Sequence, residues 1–362
     1  MSRRIAIIGA SGAVGSTLAA HLLRSHFLEP SDRLLLVGHG VLTTQRKLLG
    51  TRIDLLDAFD DERVRIEIVP DVSDVQADLV VVAAGATLST AQSTSRRDLG
   101  VINLALFEQI AEQCASRLPE ALFIVVSNPV ELAVHILSGK VNRYRVLGMG
   151  AQQDSLRFAR AIATDLGISR HDVRASVLGE HGQAMAPLWR SVELLINDSS
   201  CADALRSLMA ESARKPLGDR VATLRKEVSQ FLSEEQIAEA YEVARCALPD
   251  ARIFVEPFIT AHSMHSTPNA TANATLQCIA AALANDRRRI HGQVQLQGEV
   301  LGIKGVCGIP VTFGWDGWHP EPLDWLDETE KIAVLQCVNS INEFISSVQS
   351  SALTDSVATT TV

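Results

Sequence analysis

Apolar and polar positions follow two rhythms along this chain. Up to about residue 150, short apolar runs at 5–8, 34–37, 64–69, 79–83, 122–127 and 146–149 are separated by longer stretches with helical spacing. Compact β-branched runs bounded by turn residues, with helical segments between them, predict βαβ units and a parallel sheet buried on both faces. Six strands in two halves make the doubly wound (Rossmann) arrangement. The expected fold class is therefore α/β, with a doubly wound domain over residues 1–150.

Past Gly150 the texture changes. "QDSLRFARAIATDLGI" (153–168) sets Leu156, Ala159, Ile162, Ala163 and Leu166 at helical spacing, and Gly167 ends the helix. A strand-like 173–178 follows, then a stretch rich in helix formers to about residue 250, and a helix near 271–284. "GQVQLQGEVLGIKGVCGIPVTFG" (292–314) reads as an antiparallel meander and 327–348 as an amphipathic helix. These elements predict a C-terminal α+β substrate domain over 151–349. The small polar segment 350–362 reads as a disordered tail.

Composition narrows the function. With 362 residues, 47% apolar and 21% charged, the chain can bury a sizeable core. A net charge of −9, with Arg287-Arg288-Arg289 as the one tight basic cluster, argues against a nucleic-acid footprint. The six cysteines stand alone, so neither a disulfide framework nor a metal site is expected. Met-Ser-Arg-Arg leads straight into a strand-like run and no apolar run is long enough for a bilayer; the expectation is a cytoplasmic protein with no membrane partner.

The first strand leads into "GASGAVGSTLAAHLL", with Gly9, Gly12 and Gly15 at three-residue spacing. Between a strand and a helix such glycines permit a tight turn, close approach of backbone to a pyrophosphate, and close helix–strand packing. Two chemistries that share this loop are disfavoured. Tyr144 and Tyr241 are followed four residues later by Gly148 and Arg245, not by the lysine of short-chain dehydrogenases. Nor does any cysteine follow an asparagine, as in semialdehyde dehydrogenases.

"VLGEHGQAMAPLW" (177–189) places His181 in a glycine-flanked turn after a strand, and "QDSLRF" places Asp154 and Arg157 on one helix face. Hydride chemistry on a 2-hydroxy acid needs such a set. An imidazole takes the hydroxyl proton, a carboxylate orients the ring, and a guanidinium forks onto the substrate carboxylate.

Here the chain resembles the lactate/malate dehydrogenase family. The matching segments are "GASGAVG" (9–15), "ADLVVVAAG" (77–85), "VSNPVE" (126–131), "DSLRF" (154–158), "GEHGQAMAPLW" (179–189) and "GQVQLQGEVLGIKGVCGIPVTFGWDG" (292–317). The resemblance implies His181 and Asp154 as catalytic residues, with Arg157, Arg96 and Asn128 on the substrate. It implies coenzyme contacts at Gly9, Ser11, Gly12, Ala13, Val14, Gly15, Gly38, His39, Gly85, Asn103, Ser127 and Asn128. The activity it implies is reversible hydride transfer between NAD(P) and a small 2-hydroxy or 2-oxo acid, in a homodimer or homotetramer. The alternative is a non-catalytic or regulatory binding protein derived from the family.

Three departures qualify the resemblance. In "AGATLSTAQSTSRRDLGVIN" (84–103), Arg96, with Arg97 as rival, fits the loop arginine that polarises the reacting carbonyl. The arginine that would read a distal carboxylate is replaced by a stretch holding Leu88, Ser89, Thr90 and Gln92, which favours a neutral substrate side chain over malate. From His181 to Thr267, the nearest candidate for a substrate-side threonine, the 86-residue span is unusually long and mostly helical in pattern. Finally, Gly38 stands 23 residues after Gly15, where a ribose-binding acid is expected. With His39, Thr43, Thr44, Arg46 and Lys47 following, NADP is favoured over NAD.

Overall fold

The computed structural model describes residues 2–86, 95–263 and 267–359, apart from the side chains of 352–359. In chain order the N-terminal elements are β1 (Arg4–Ile8), α1 (Ala13–Arg24), β2 (Arg33–Val37), α2 (Leu42–Ala58), β3 (Arg65–Val69), β4 (Leu79–Val82), α3 (Arg96–Arg117), β5 (Leu122–Val125), α4 (Val130–Ser138) and β6 (Val146–Gly148). Then come α5 (Gly150–Leu166), β7 (Val173–Gly179), β8 (Met185–Leu194), α6 (Ser199–Ser212), α7 (Leu217–Ser233), α8 (Ile237–Cys246), α9 (Pro249–Ser263) and α10 (Pro268–Ala284). β9 (Arg289–Gln297), β10 (Lys304–Gly314), β11 (Gly317–Pro320) and α11 (Glu328–Thr359) complete the described chain.

Strands β3-β2-β1-β4-β5-β6 run parallel in that order, the doubly wound order with its reversal between β1 and β4. Both faces of these strands are covered, which is why they read as continuous apolar runs. Ile5, Ile7, Leu34, Leu36, Leu79 and Val81 enter one core, while Ala6, Ile8, Leu35, Val37, Val80 and Val82 enter the other. The sheet does not stop at β6: Gly148 pairs antiparallel with Gln293 of β9, and the order continues β9-β10-β7-β8, with β11 on β10.

The six N-terminal strands fall within two residues of the apolar runs. The sequence pattern predicts no strand at β8, because Pro187 interrupts its alternation; its pairing with β7 also shifts register between Arg174 and Ser176 of β7. As the last strand of the sheet it can carry a proline. The helical pattern of 198–250 forms α6, α7 and α8, which join α9 over α5 and β7 through Phe158, Ile162, Leu205, Leu224, Val228 and Ala244. α11 carries helical backbone beyond residue 350, where the tail is expected to start.

Candidate active site

The glycine loop explains itself atom by atom. Gly9 has φ +88° and abuts the end of β4, where an added Cβ would lie 2.7 Å from the Ala83 carbonyl oxygen. A Cβ on Gly15 would lie 2.4 Å from the Gly9 carbonyl oxygen, so only glycine lets α1 pack this tightly on β1. Gly12 caps α1 in extended conformation, with no side chain on the first N–H groups and no acidic residue in the first turn. This end is shaped to receive a pyrophosphate, so the residues fit a dinucleotide. Ser11, Ala13 and Val14 lie in the same turn and first helical residues.

Gly38 is exchanged for no carboxylate because there is no room. The β2–β3 ladder runs on past the strands through Gly38 N–H to Val69 O (2.9 Å) and Gly40 N–H to Pro70 O (2.8 Å). A Cβ at Gly38 would meet that Pro70 oxygen at 2.9 Å. The same ladder brings Asp71 to the turn, its Oδ2 3.3 Å from where a Cβ on Gly40 would be. Hydrogen bonds from the Ser73 N–H and hydroxyl, with a smaller electrostatic contribution of nearby His39, hold the Asp71 carboxyl below its ordinary value. His39 Nε2 in turn lies 2.9 Å from Thr44 Oγ1, while Arg46 and Lys47 are exposed on α2.

Of the remaining expected coenzyme contacts, Ser127 and Asn103 are buried and spent on the backbone. Ser127 Oγ donates to Val82 O and Ala84 O (3.1 and 2.5 Å). Asn103 Oδ1 accepts from Ala86 N (2.7 Å), next to Gly85, and its Nδ2 donates to Asn128 O (3.2 Å). They shape the segments after β4 and β5 and leave the Asn128 side chain exposed.

At this carboxyl edge of the sheet, Asn128, Asp154, Arg157, His181 and Thr267 line one cavity of about 250 Å³. His181 Nδ1 is 2.7 Å from Asp154 Oδ2, and Arg157 donates to Asp154 Oδ1 at 2.9 Å. Asp154 is 1% exposed, so the pair and the arginine share a carboxylate shielded from water. Burial pulls the His181 pKa down, but the charge of Asp154 and its hydrogen bond outweigh this, and the net direction is up. Thr267 caps α10, with its hydroxyl 3.4 Å from Gln153 Nε2.

Gly150 makes the floor beneath the histidine. A Cβ there would fall 2.5 Å from His181 Cβ and Cγ. Gly150→Ala must therefore displace the imidazole from Asp154. A misplacement of about 1 Å costs on the order of 10²-fold in turnover, with coenzyme affinity unchanged; steady-state kinetics beside a coenzyme titration checks both.

The structure does not bring Arg96 to this cavity. Its guanidinium lies between Glu131 Oε2 (2.5 Å) and Glu180, stacked 4.3 Å from the Phe344 ring centroid. The other oxygen of Glu131 accepts the His181 backbone N–H at 2.6 Å. Arg97 is no substitute: it donates to Ser351 Oγ. Burial, and to a lesser degree Glu131, raises the Glu180 pKa against the pull of Arg96. Glu131 and Glu180 carry no expectation from the sequence, although both sit inside "NPVE" and "GEHG". Leu88, Ser89, Thr90 and Gln92 lie outside the described residues. Among the described residues no cluster could hold a metal ion and no helix is long and apolar enough to cross a membrane.

The strand order, the glycine cradle and a shielded His–Asp pair beside an arginine define a doubly wound dinucleotide-binding fold with an acid/base site at its carboxyl edge. Residues 3–148 match the lactate/malate dehydrogenase, NAD binding domain family. The chain is 31% identical over 286 residues to L-lactate dehydrogenase of Zea mays, covering 75% of this chain and 76% of that one. It is 26% identical to L-2-hydroxycarboxylate dehydrogenase (NAD(P)(+)) of Methanocaldococcus jannaschii, covering 96% and 99%. Malate dehydrogenase of Aeropyrum pernix shares the fold, with a TM-score of 0.74 at 24% identity over 94% of this chain and 97% of that one. The chain belongs to the lactate/malate dehydrogenase family, a family of oxidoreductases.

Proposed function

We propose that this protein reduces a 2-oxo acid, and oxidises the matching 2-hydroxy acid, with a nicotinamide coenzyme. The observation that carries the reading is the convergence of His181, Asp154, Arg157 and Asn128 on one cavity beyond the strand ends. The bound coenzyme, held at Gly9, Gly12 and Gly15 and along the turn 38–40, supplies or accepts hydride. Arg157 grips the substrate carboxylate with two parallel N–H donors. His181 gives its Nε2 proton to the carbonyl oxygen, while Asp154 holds the ring through Nδ1 and stabilises the imidazolium. Asn128 offers an amide beside the reacting carbon. Arg96 reaches the carbonyl only if it exchanges Glu131 and Glu180 for the substrate.

Arg157 is the one arginine or lysine among the described residues that line the cavity, which supports a substrate with one carboxylate and a neutral side chain over malate. Following nicotinamide absorbance with NADH and NADPH against a set of 2-oxo acids tests the reading: tight coenzyme binding with no turnover of any of them would leave the non-catalytic alternative, to which the sequestered Arg96 lends support.

For the coenzyme we propose NADP over NAD, supported by the bare Gly38, by Thr44 beside it, and by Arg46 and Lys47 exposed on the helix that follows. Asp71 is the opposing charge. Asp71→Asn keeps an acceptor for Ser73 and removes a carboxylate whose repulsion of a nearby phosphate is on the order of 1 kcal/mol. The ratio of kcat/KM for NADPH over NADH should rise roughly fivefold; an unchanged ratio places the phosphate elsewhere.

A further inference from the structure

Beside the polar groups, the cavity lining includes Met185 of β8 and Phe254, Pro257 and Ala261 of α9. None of these side chains can donate a hydrogen bond or carry charge. A substrate side chain with a hydroxyl, amide or carboxylate would lose its water there without a partner. A hydrocarbon group would gain by burial. The cavity of about 250 Å³ must also hold the reacting carbonyl and carboxylate. What remains suits a compact aliphatic group.

The wall is anchored from behind. Asp250, one residue into α9 and 2% exposed, accepts from Trp189 Nε1 (3.0 Å), Ser212 Oγ (2.6 Å) and the Arg220 guanidinium (2.7 and 2.6 Å). β8, α6 and α7 therefore all grip the start of α9. Arg252 does the same two residues on, bonding Asp165 of α5 (2.8 Å). Phe254 is packed into that assembly at 8% exposure, so its ring is held in place where it faces the cavity.

We infer that Phe254, with Met185, Pro257 and Ala261, forms an apolar subsite that selects 2-oxo acids bearing a short branched aliphatic side chain, with Phe254 setting the size limit. The inference rests on the proposed reaction, and the test separates the two. Full-length protein is assayed with pyruvate, 3-methyl-2-oxobutanoate, 4-methyl-2-oxopentanoate, phenylpyruvate and oxaloacetate. In parallel, its thermal shift is read with the unreactive carboxylates 4-methylpentanoate, 3-phenylpropanoate and succinate. The wild type should favour the branched acids over pyruvate by about fourfold per added methylene and over oxaloacetate by more than tenfold.

Phe254→Ala should move the optimum at least tenfold toward phenylpyruvate and 3-phenylpropanoate. Ala261→Leu, at an exposed position that tolerates added bulk, should move it the other way, toward pyruvate, and serves if Phe254→Ala does not fold. A preference for oxaloacetate and succinate, or ratios unmoved by either substitution, overturns the subsite. No turnover by the wild type, combined with the expected ranking in thermal shift, upholds the subsite and rejects the reaction.

Discussion

His181→Ala lowers turnover of the preferred 2-oxo acid by about 10²–10⁴-fold, the range a positioned general acid supplies, and leaves coenzyme affinity as it was. The imidazole touches Asp154 and the cavity but no part of the glycine loop, so the two readouts separate. The pH dependence carries the same assignment. Reduction needs the imidazolium, and Asp154 raises the His181 pKa against the effect of burial. The rate of reduction therefore persists above the ordinary histidine pKa and falls as pH rises through the raised one. Oxidation needs the neutral ring and rises over that same interval. In Asp154→Asn both limbs move to lower pH. A profile indifferent to that substitution would detach the histidine from the proton transfer.

The second large effect is expected at Arg157. Its guanidinium already spends one N–H on Asp154 and lines the cavity, where no other arginine or lysine stands among the described residues. Two charge-assisted hydrogen bonds to a carboxylate contribute roughly 1.5–3 kcal/mol each. Arg157→Gln should therefore lower kcat/KM about 10²–10⁴-fold, chiefly through KM. Arg157→Lys recovers little, because an ammonium cannot make the paired fork. A small effect on KM would mean that the carboxylate binds elsewhere. Removal of Arg157 also takes one partner from buried Asp154, so the histidine's pH limb is recorded for the variant to separate the two roles.

Much of this was legible in the sequence because the rules behind it are local. The apolar runs at 5–8 or 79–83 read as buried strands since both faces are covered, and three glycines at fixed spacing announce a turn against a helix end. His181, Asp154 and Arg157 stood out through spacing and flanking glycines. What escaped depends on contacts between distant segments. Nothing in "NPVE" says that Glu131 will hold both Arg96 and the His181 backbone, because the partners lie 35 and 50 residues away. Phe254 and Pro257 fall between the helical pattern ending near 250 and the helix expected near 271, and only the position of α9 beside the cavity gives them a role. Gly38 was legible as a missing acid, but its cause, the carbonyl of Pro70 in the neighbouring strand, was not.

The pairing of Gly148 with Gln293 has a mechanical meaning. Gln293 also accepts the N–H of Ala151 (3.0 Å), at the helix start that lies beneath His181. The strands that end in the glycine cradle and the floor of the acid/base site thus belong to one hydrogen-bonded ladder. Gly148 sets where the end of β6 stands against the floor of the acid/base site, through one strand pairing and one glutamine side chain.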